Sequence, residues 1–377
     1  MPVNVSPAVS AALIAGALVA LTPAPTPASA ASTVAREASR WPQWQAYRQR
    51  FIQRDGRVIE HSQQGRTTSE GQAYALFHAL VANDRAMFAR LLDWTAKNLA
   101  RGDLSRHLPA WLWGRRDDGS WGVIDANAAS DADMWLAWTL LEAGERWRID
   151  RYRKLGERLL RLIEQQETTR LPGLGAMLLP GPRGFHPDDH RWKLNPSYLP
   201  LQLMRHFARV GNAGLWNEIA ANTVTLIERA SADGIVPDWV IYRDDGTLRA
   251  DGKSPRGEIG YDAIRVYLWA GMLPPTDPLR SRLLRLLNRN CGDRLVASAG
   301  DAPGIRIALA PLMKATGNHQ CLSRLVRMVD HAWRDGLLGD PARYYDQNLS
   351  MFALAWLEKR FAFKADGGLR IGDHETR

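Results

Sequence analysis

Residues 131–143 read DADMWLAWTLLEA, and residues 151–166 read RYRKLGERLLRLIEQQ. Both stretches carry a helical period, but their faces differ. In the first, apolar side chains run nearly all the way round, so the helix has no face for water and must be buried. In the second, Arg151, Arg153, Arg158 and Arg161 alternate with Leu155, Leu159, Leu160 and Ile163, the pattern of a helix that covers a core with one stripe. The alternation extends along the chain. Surface-type helices are expected at Trp44–Gln53, Ala86–Leu99, Arg151–Gln166, Leu215–Ala230, Pro278–Asn290 and Gln320–Trp333. Buried-type helices are expected at Glu70–Val81, Asp131–Ala143, Pro196–Ala208, Asp262–Gly271, Pro303–Met313 and Asp346–Leu357. The spacing is roughly fifty residues per pair. Six inner helices ringed by six outer ones make an all-α (α/α)6 barrel, favoured here over a bundle or a solenoid. Pro311 should kink its helix. Strand signals are sparse, at Val240–Arg243 and Gly56–Glu60, and read as short β hairpins at the barrel mouth.

The chain has 377 residues, 45% of them hydrophobic and 24% charged, ordinary values for a globular protein. Its start differs. Ala11–Leu21 is an apolar run too short to span a bilayer, followed by Pro23, Pro25, Pro27 and then Ala28-Ser29-Ala30. That order reads as a secretory signal peptide over residues 1–30, cleaved after Ala30, although no Lys or Arg precedes the apolar run. Residues 31–377 are then one domain, periplasmic or secreted, with no segment expected to insert into a membrane. The net charge of +9 comes from Arg residues scattered along helix faces, which argues against nucleic acid as a partner. Cys291 and Cys321 allow one disulfide or two thiols. Trp outnumbers Phe by 15 to 8. Broad indole faces suit the C–H faces of sugar rings, though most of them should serve the core.

Four buried-type helices begin with an acid: Glu70, Asp131, Asp262 and Asp346; a fifth opens with Asn195-Pro196-Ser197-Tyr198. A single acid there is explained by helix capping. A set brought to one barrel mouth by parallel inner helices, under loops rich in Trp, Gly and Pro, points to an active cleft. Ser69 or Thr68 can cap the first helix, and Gly71 would let a ligand approach its backbone. Glycoside hydrolysis with inversion needs a protonated acid and an ionised base roughly 6.5–9.5 Å apart. A helix N-terminus lowers a carboxylic acid's pKa, so Glu70 would need burial or a neighbouring anion, such as Asp131, to stay protonated. Asp131 and Asp133, two residues apart, cannot share a helix face. Asp262 and Arg265 are i, i+3 neighbours, so the guanidinium can orient the carboxylate and keep it ionised. No zinc-protease, Cys-x-x-Cys, P-loop or Gly-x-Ser-x-Gly motif occurs, and His186 and His190 lie in an exposed-looking loop that makes a poor metal site.

Thr68-Ser69-Glu70-Gly71-Gln72, Ala129-Ser130-Asp131-Ala132-Asp133 and Tyr261-Asp262-Ala263-Ile264-Arg265 resemble, in order and spacing, the three active-site segments of glycoside hydrolase family 8. Residues 108–114, 172–175, 194–200 and 237–240 are further similar to the periplasmic endoglucanases of bacterial cellulose-synthase machinery, so the resemblance runs from about Trp41 to Phe363. It implies an inverting endo-β-1,4-glucanase without a metal or other cofactor, acting on cellulose chains and associated with a cellulose-synthase complex. By matching motif, Glu70 would be the general acid and Asp262 the general base. Asp131 would bind and distort the sugar at the point of cleavage, and Tyr198 and Arg265 would hold the attacking water and the base. Asn195 and Tyr261 lie in the matching segments as substrate-binding candidates. Trp111, Trp113 and Trp192 are stacking candidates by position alone. Leu136 and Thr139 depart from the family pattern by helix-interior changes of similar size. The rival readings are the same fold acting on xylan, mixed-linkage glucan or chitosan, and a non-catalytic glucan-binding subunit. A strongly basic protein repels polycationic chitosan, and the intact acids argue for catalysis.

Overall fold

Apolar side chains on all faces of one helix and one stripe of the next give two concentric rings. The computed structural model describes residues 41–231, 235–252, 258–288 and 293–372. Its helices are α1 (Pro42–Phe51), α2 (Ser69–Val81), α3 (Arg85–Leu99), α4 (Ser130–Trp147), α5 (Asp150–Gln166), α6 (Leu201–Val210) and α7 (Ala213–Ala230). They continue as α8 (Ile264–Met272), α9 (Arg280–Leu287), α10 (Asp293–Ser298), α11 (Pro303–Ala308), α12 (Ala310–Ala315), α13 (His319–Asp330) and α14 (Tyr344–Leu357). The inner ring runs α2, α4, α6, α8, α11 with α12, and α14, each packed on the next, and α14 returns to α2 to close it. Helices α3, α5, α7, α9, α13 and α1 back the inner ring in turn. The fold is the (α/α)6 barrel expected from the alternation.

The two kinds of helix behave as their sequences require. In α5 only Tyr152, Gly156, Leu159, Leu160 and Ile163 are buried, whereas α4 is buried from Ser130 to Gly144. The barrel axis is filled by rings. Phe352 packs at 4.9 Å on Phe77, 5.0 Å on Trp135 and 5.1 Å on Trp269 (centroid distances). Truncating such a ring to Ala costs about 3–5 kcal/mol. Tyr74 stands edge-on to Phe352 at 5.1 Å and carries its hydroxyl up to the mouth, so the packed axis is also the floor of the site.

Several boundaries differ from expectation, mostly at proline. The third inner helix divides into a 3-10 turn, Pro196–Tyr198, and α6, because Pro200 lacks an N–H and pushes Leu199 out of the α region. The fifth breaks at Leu309 into α11 and α12, since Pro311 cannot donate to a carbonyl one turn back. Helix α8 begins at Ile264, leaving Asp262 in the turn before it. Helix α10 is too short for its periodicity to show in the sequence. The expected end of the Pro278–Asn290 helix, Cys291 and the expected signal peptide at residues 1–30 lie outside the described residues. Cys321 is buried in α13.

The strand at Val240–Arg243 is present as β7, but Gly56–Glu60 forms only isolated bridges, Ile52 with Val58 and Glu60 with Arg66. More short strands exist than sequence patterning indicated. A three-stranded sheet joins β1 (Thr67–Thr68), β2 (Leu112–Arg115) and β3 (Trp121–Asp125). Strands β4 (Thr168–Leu171) and β5 (Gly175–Leu178) form a hairpin, and β6 (Arg191–Leu194) pairs with β7, which pairs with β8 (Leu248–Ala250). Near the end of the chain come β9 (Trp333–Arg334) with β10 (Leu337–Leu338), and β11 (Phe361–Phe363) with β12 (Leu369–Ile371). Strand β1 runs directly into α2, β6 into the 3-10 turn before α6, and β10 shortly precedes α14. The N-terminal ends of the inner helices therefore emerge beneath β hairpins.

Candidate active site

Glu70 is set by the way α2 starts. The Thr68 side chain accepts from the Gly71 N–H at 3.1 Å, and the Ser69 N–H donates to the Trp111 carbonyl at 3.0 Å. Thr67 lies opposite Trp113 in the β1–β2 ladder. Glu70 thus leaves a rigid sheet-to-helix junction. Gly71 has a different reason from the one expected. A Cβ there would collide with the Tyr344 hydroxyl, so the space belongs to α14 and not to a ligand.

Arg265 is the centre of the site. It is 1% exposed and carries three carboxylates from three segments. Its Nη1 donates to Glu70 Oε1, to Asp131 Oδ2 at 2.7 Å and to the Tyr74 hydroxyl at 3.0 Å; its Nη2 donates to Asp262 Oδ1 at 2.6 Å. This is far from a surface i, i+3 ion pair. The guanidinium lies 5.2 Å from the centre of the Tyr198 ring and 5.9 Å from that of Tyr345. Charge-assisted bonds of this kind are short, directional and strong in a buried setting. Glu70 and Asp262 occupy different nitrogens of one planar group, so its width holds them apart.

Each acid keeps a distinct environment. Glu70 Oε1 accepts from Arg265 and from the Tyr345 hydroxyl at 2.9 Å. A proton on Glu70 therefore belongs on Oε2. Burial pushes the Glu70 carboxyl up to about 8; Arg265 opposes this, the Asp131 charge adds to it, and the Tyr345 hydrogen bond lowers it. Burial also raises Asp131, against Arg265 and the Ala132 N–H, which donates to its Oδ1 at 2.8 Å. Asp262 is more open, with 29% of its side chain exposed against 18% for Glu70. Its Oδ2 accepts from the Trp239 indole N–H at 3.0 Å. Burial holds the Tyr198 phenol well above its usual range, and the charges of Asp131 and Asp262 reinforce this, so the hydroxyl stays a donor. One arrangement thus holds a carboxyl that burial favours protonated beside a more open carboxylate bonded to a guanidinium and an indole N–H, a pairing suited to acid–base cleavage.

Asp133 points away, as the spacing required. It is fully buried against Glu167, the residue that ends α5. Burial raises both carboxyls well above the ordinary range, and the Asp133 charge adds to the cost of charging Glu167.

The structure sorts the remaining candidates. Tyr261 donates to Asp346 Oδ1 at 3.0 Å and meets Tyr345 edge-on at 5.3 Å. It supports the tyrosine that contacts Glu70. Asn195 serves as a cap: its buried Oδ1 accepts from the Ser197 N–H at 3.0 Å and hydroxyl at 2.7 Å, fixing the turn that presents Tyr198. Trp192 is enclosed. It is 5% exposed, with His186 stacked on it at 4.7 Å, so it offers no open platform. Trp111 and Trp113 remain half-buried at the mouth; Trp113 packs on Trp121, which is 49% exposed, and the Arg57 guanidinium lies over both rings. Sequence reading missed Tyr74, Tyr345 and Trp239. Tyr345 is the one with a usable signal, since it stands beside Asp346 in the first turn of a buried-type helix. Among the described residues no group of three or more His, Cys, Asp or Glu side chains could hold a metal ion, His186 and His190 included.

A buried arginine joins three carboxylates at the mouth of an (α/α)6 barrel, an arrangement that suits a glycoside hydrolase. The model of glycosyl hydrolases family 8 matches residues 23–297, and the chain belongs to that family. It is 45% identical to an endoglucanase of Xanthomonas axonopodis pv. citri (strain 306), over 87% of this chain and 88% of the relative. It is 41% identical to an endoglucanase of Salmonella typhi, over 89% and 92%. The solved structure of an endo-1,4-D-glucanase from Vibrio fischeri ES114 superposes with a TM-score of 0.75 at 38% identity, covering 88% of this chain and 99% of that one.

Proposed function

We propose that the chain is an endo-β-1,4-glucanase that cleaves cellulose-type chains with inversion. The observation that carries this reading is the Arg265 hub, which holds Glu70, kept protonated by burial, and the more open Asp262 on different nitrogens of one guanidinium. Glu70 Oε2 gives its proton to the glycosidic oxygen as the C1–O bond breaks. Asp262 takes a proton from a water whose oxygen bonds to C1 from the other face. Tyr198 and Arg265 hold that water and the base. Asp131, fixed by Arg265 and the Ala132 N–H, binds the sugar at the point of cleavage. Trp111 and Trp113 line the approach. All of this uses protein groups, with no cofactor.

The endoglucanase relatives support a glucan substrate, and the Vibrio fischeri enzyme, an endo-1,4-D-glucanase, supports the 1,4 linkage. Residues 1–30 act as a signal peptide, residues 31–377 form one catalytic domain, and the enzyme works in the periplasm or outside the cell alongside a cellulose-synthase complex. Among the described residues no helix is long and apolar enough to cross a membrane.

The test is reducing-sugar release from carboxymethyl cellulose with EDTA present, for wild type and Glu70→Gln. Wild type should release sugar and the variant should bind cellopentaose without cleaving it. Turnover by the variant sinks the acid assignment; cleavage of xylan or chitosan alone moves the substrate; binding without cleavage by wild type leaves a glucan-binding subunit.

A further inference from the structure

Asp262 has a partner outside the three active-site segments. Trp239 lies just before β7, in Pro237-Asp238-Trp239-Val240, and its indole N–H donates to Asp262 Oδ2 at 3.0 Å. Its chain neighbour Asp238 accepts from the Ala263 N–H through Oδ1 at 2.7 Å. Two consecutive residues therefore grip two consecutive residues of the turn before α8. Gly260 completes the grip, because any Cβ there would collide with the Asp238 carboxylate.

The Trp239 ring is itself fixed. Phe185 lies parallel to it at 6.0 Å and 3°, Tyr198 meets it at 5.8 Å and 61°, and Lys193 Nζ sits 4.6 Å from the ring centre while pairing with Asp251 at 3.1 Å. An indole N–H on so constrained a ring is a donor with one direction. It cannot accept, so it suits an ionised Oδ2 and opposes a proton on that oxygen. Arg265 holds Oδ1, and each oxygen keeps a further lone pair for water.

We propose that Trp239 is a positioning residue for the reaction: its N–H, with Arg265, fixes the rotation of the Asp262 carboxylate so that a free lone pair faces the attacking water. This rests on Asp262 being the base. The contact with Tyr198 places the same ring against the other group assigned to that water. Trp239 acts through Asp262 and not on the sugar.

The test is Trp239→Phe, which keeps an aromatic ring and removes the donor, measured beside Asp262→Asn on cellopentaose. The inference expects kcat to fall roughly 10- to 100-fold, the scale of one hydrogen bond to a charged group. KM and cellopentaose affinity should stay within about twofold. The acid limb of the rate profile should move to higher pH. A Trp239→Phe enzyme with unchanged kcat and raised KM would make the ring a sugar platform and overturn the inference. Unchanged kcat and KM would overturn it as well. Retained binding shows that the variant is folded. Turnover by Asp262→Asn would instead remove the base assignment, which separates the two failures.

Discussion

Replacing Arg265 by Met tests the electrostatics of the site most severely. The side chain is 1% exposed and balances Glu70, Asp131 and Asp262. With Glu70 protonated, the native cluster holds two negative charges and one positive. Met leaves the two carboxylates without a cation in a buried site. Removing one partner of a buried ion pair costs about 3–5 kcal/mol. For a domain this large, roughly 2 °C per kcal/mol converts that to a fall in Tm of about 6–10 °C. The sign with pH follows from linkage. Loss of the cation raises the carboxyls in the folded state only, so the variant binds more protons folded than unfolded, and its stability falls as pH rises. The Tm gap to wild type should therefore be widest near pH 8 and close toward pH 4–5. Hydrolysis of carboxymethyl cellulose should drop by at least about 10³-fold, because the acid, the base and the sugar-binding carboxylate are all misplaced. The assays are thermal unfolding across pH and reducing-sugar release. A Tm within about 2 °C of wild type at pH 8, or more than about a tenth of the rate, would refute the argument.

Other outcomes follow from single contacts. Activity should decline as pH rises through about 8, where Glu70 loses its proton, and Asp131→Asn should move that basic limb to lower pH because the Asp131 charge holds Glu70 up; Tyr345→Phe should move it the other way, read from kcat/KM against pH. Gly71→Ala should push Tyr344 aside, lowering stability by about 1–3 kcal/mol in urea unfolding and weakening catalysis through the adjacent Tyr345. Asp133→Asn should relieve part of the cost that the Asp133–Glu167 pair imposes as pH rises, so its stability gain over wild type in urea unfolding should grow steadily from pH 4 to pH 8.5.

The ring order was legible because burial leaves a mark on every turn of a helix. Residues 131–143 have no polar face, and α4 is buried throughout that span. Glu70, Asp131, Asp262 and Arg265 were legible because each sits at the start of such a helix in a long specific segment. What stayed hidden depends on contacts between segments far apart in sequence. Tyr345 reaches Glu70 across 275 residues, a distance that no local period encodes. Trp192 and Asn195 look like site residues by position, and only the folded chain shows the stacked His186 and the capping turn that engage them. The short strands are two to five residues long each and depend on pairing rather than pattern. Pro200 sets a boundary that periodicity alone would run through, whereas the break at Pro311 was legible from the residue itself.

The central claim is that Glu70 and Asp262 act on opposite faces of the sugar, and the anomer first formed reports on it directly. Proton NMR of cellopentaose during early hydrolysis by the wild-type enzyme should show new α-anomeric ends, which then mutarotate toward the equilibrium mixture. New β-anomeric ends at the earliest times would mean retention through a covalent intermediate, and would contradict the assignment of Asp262 as a base that activates water.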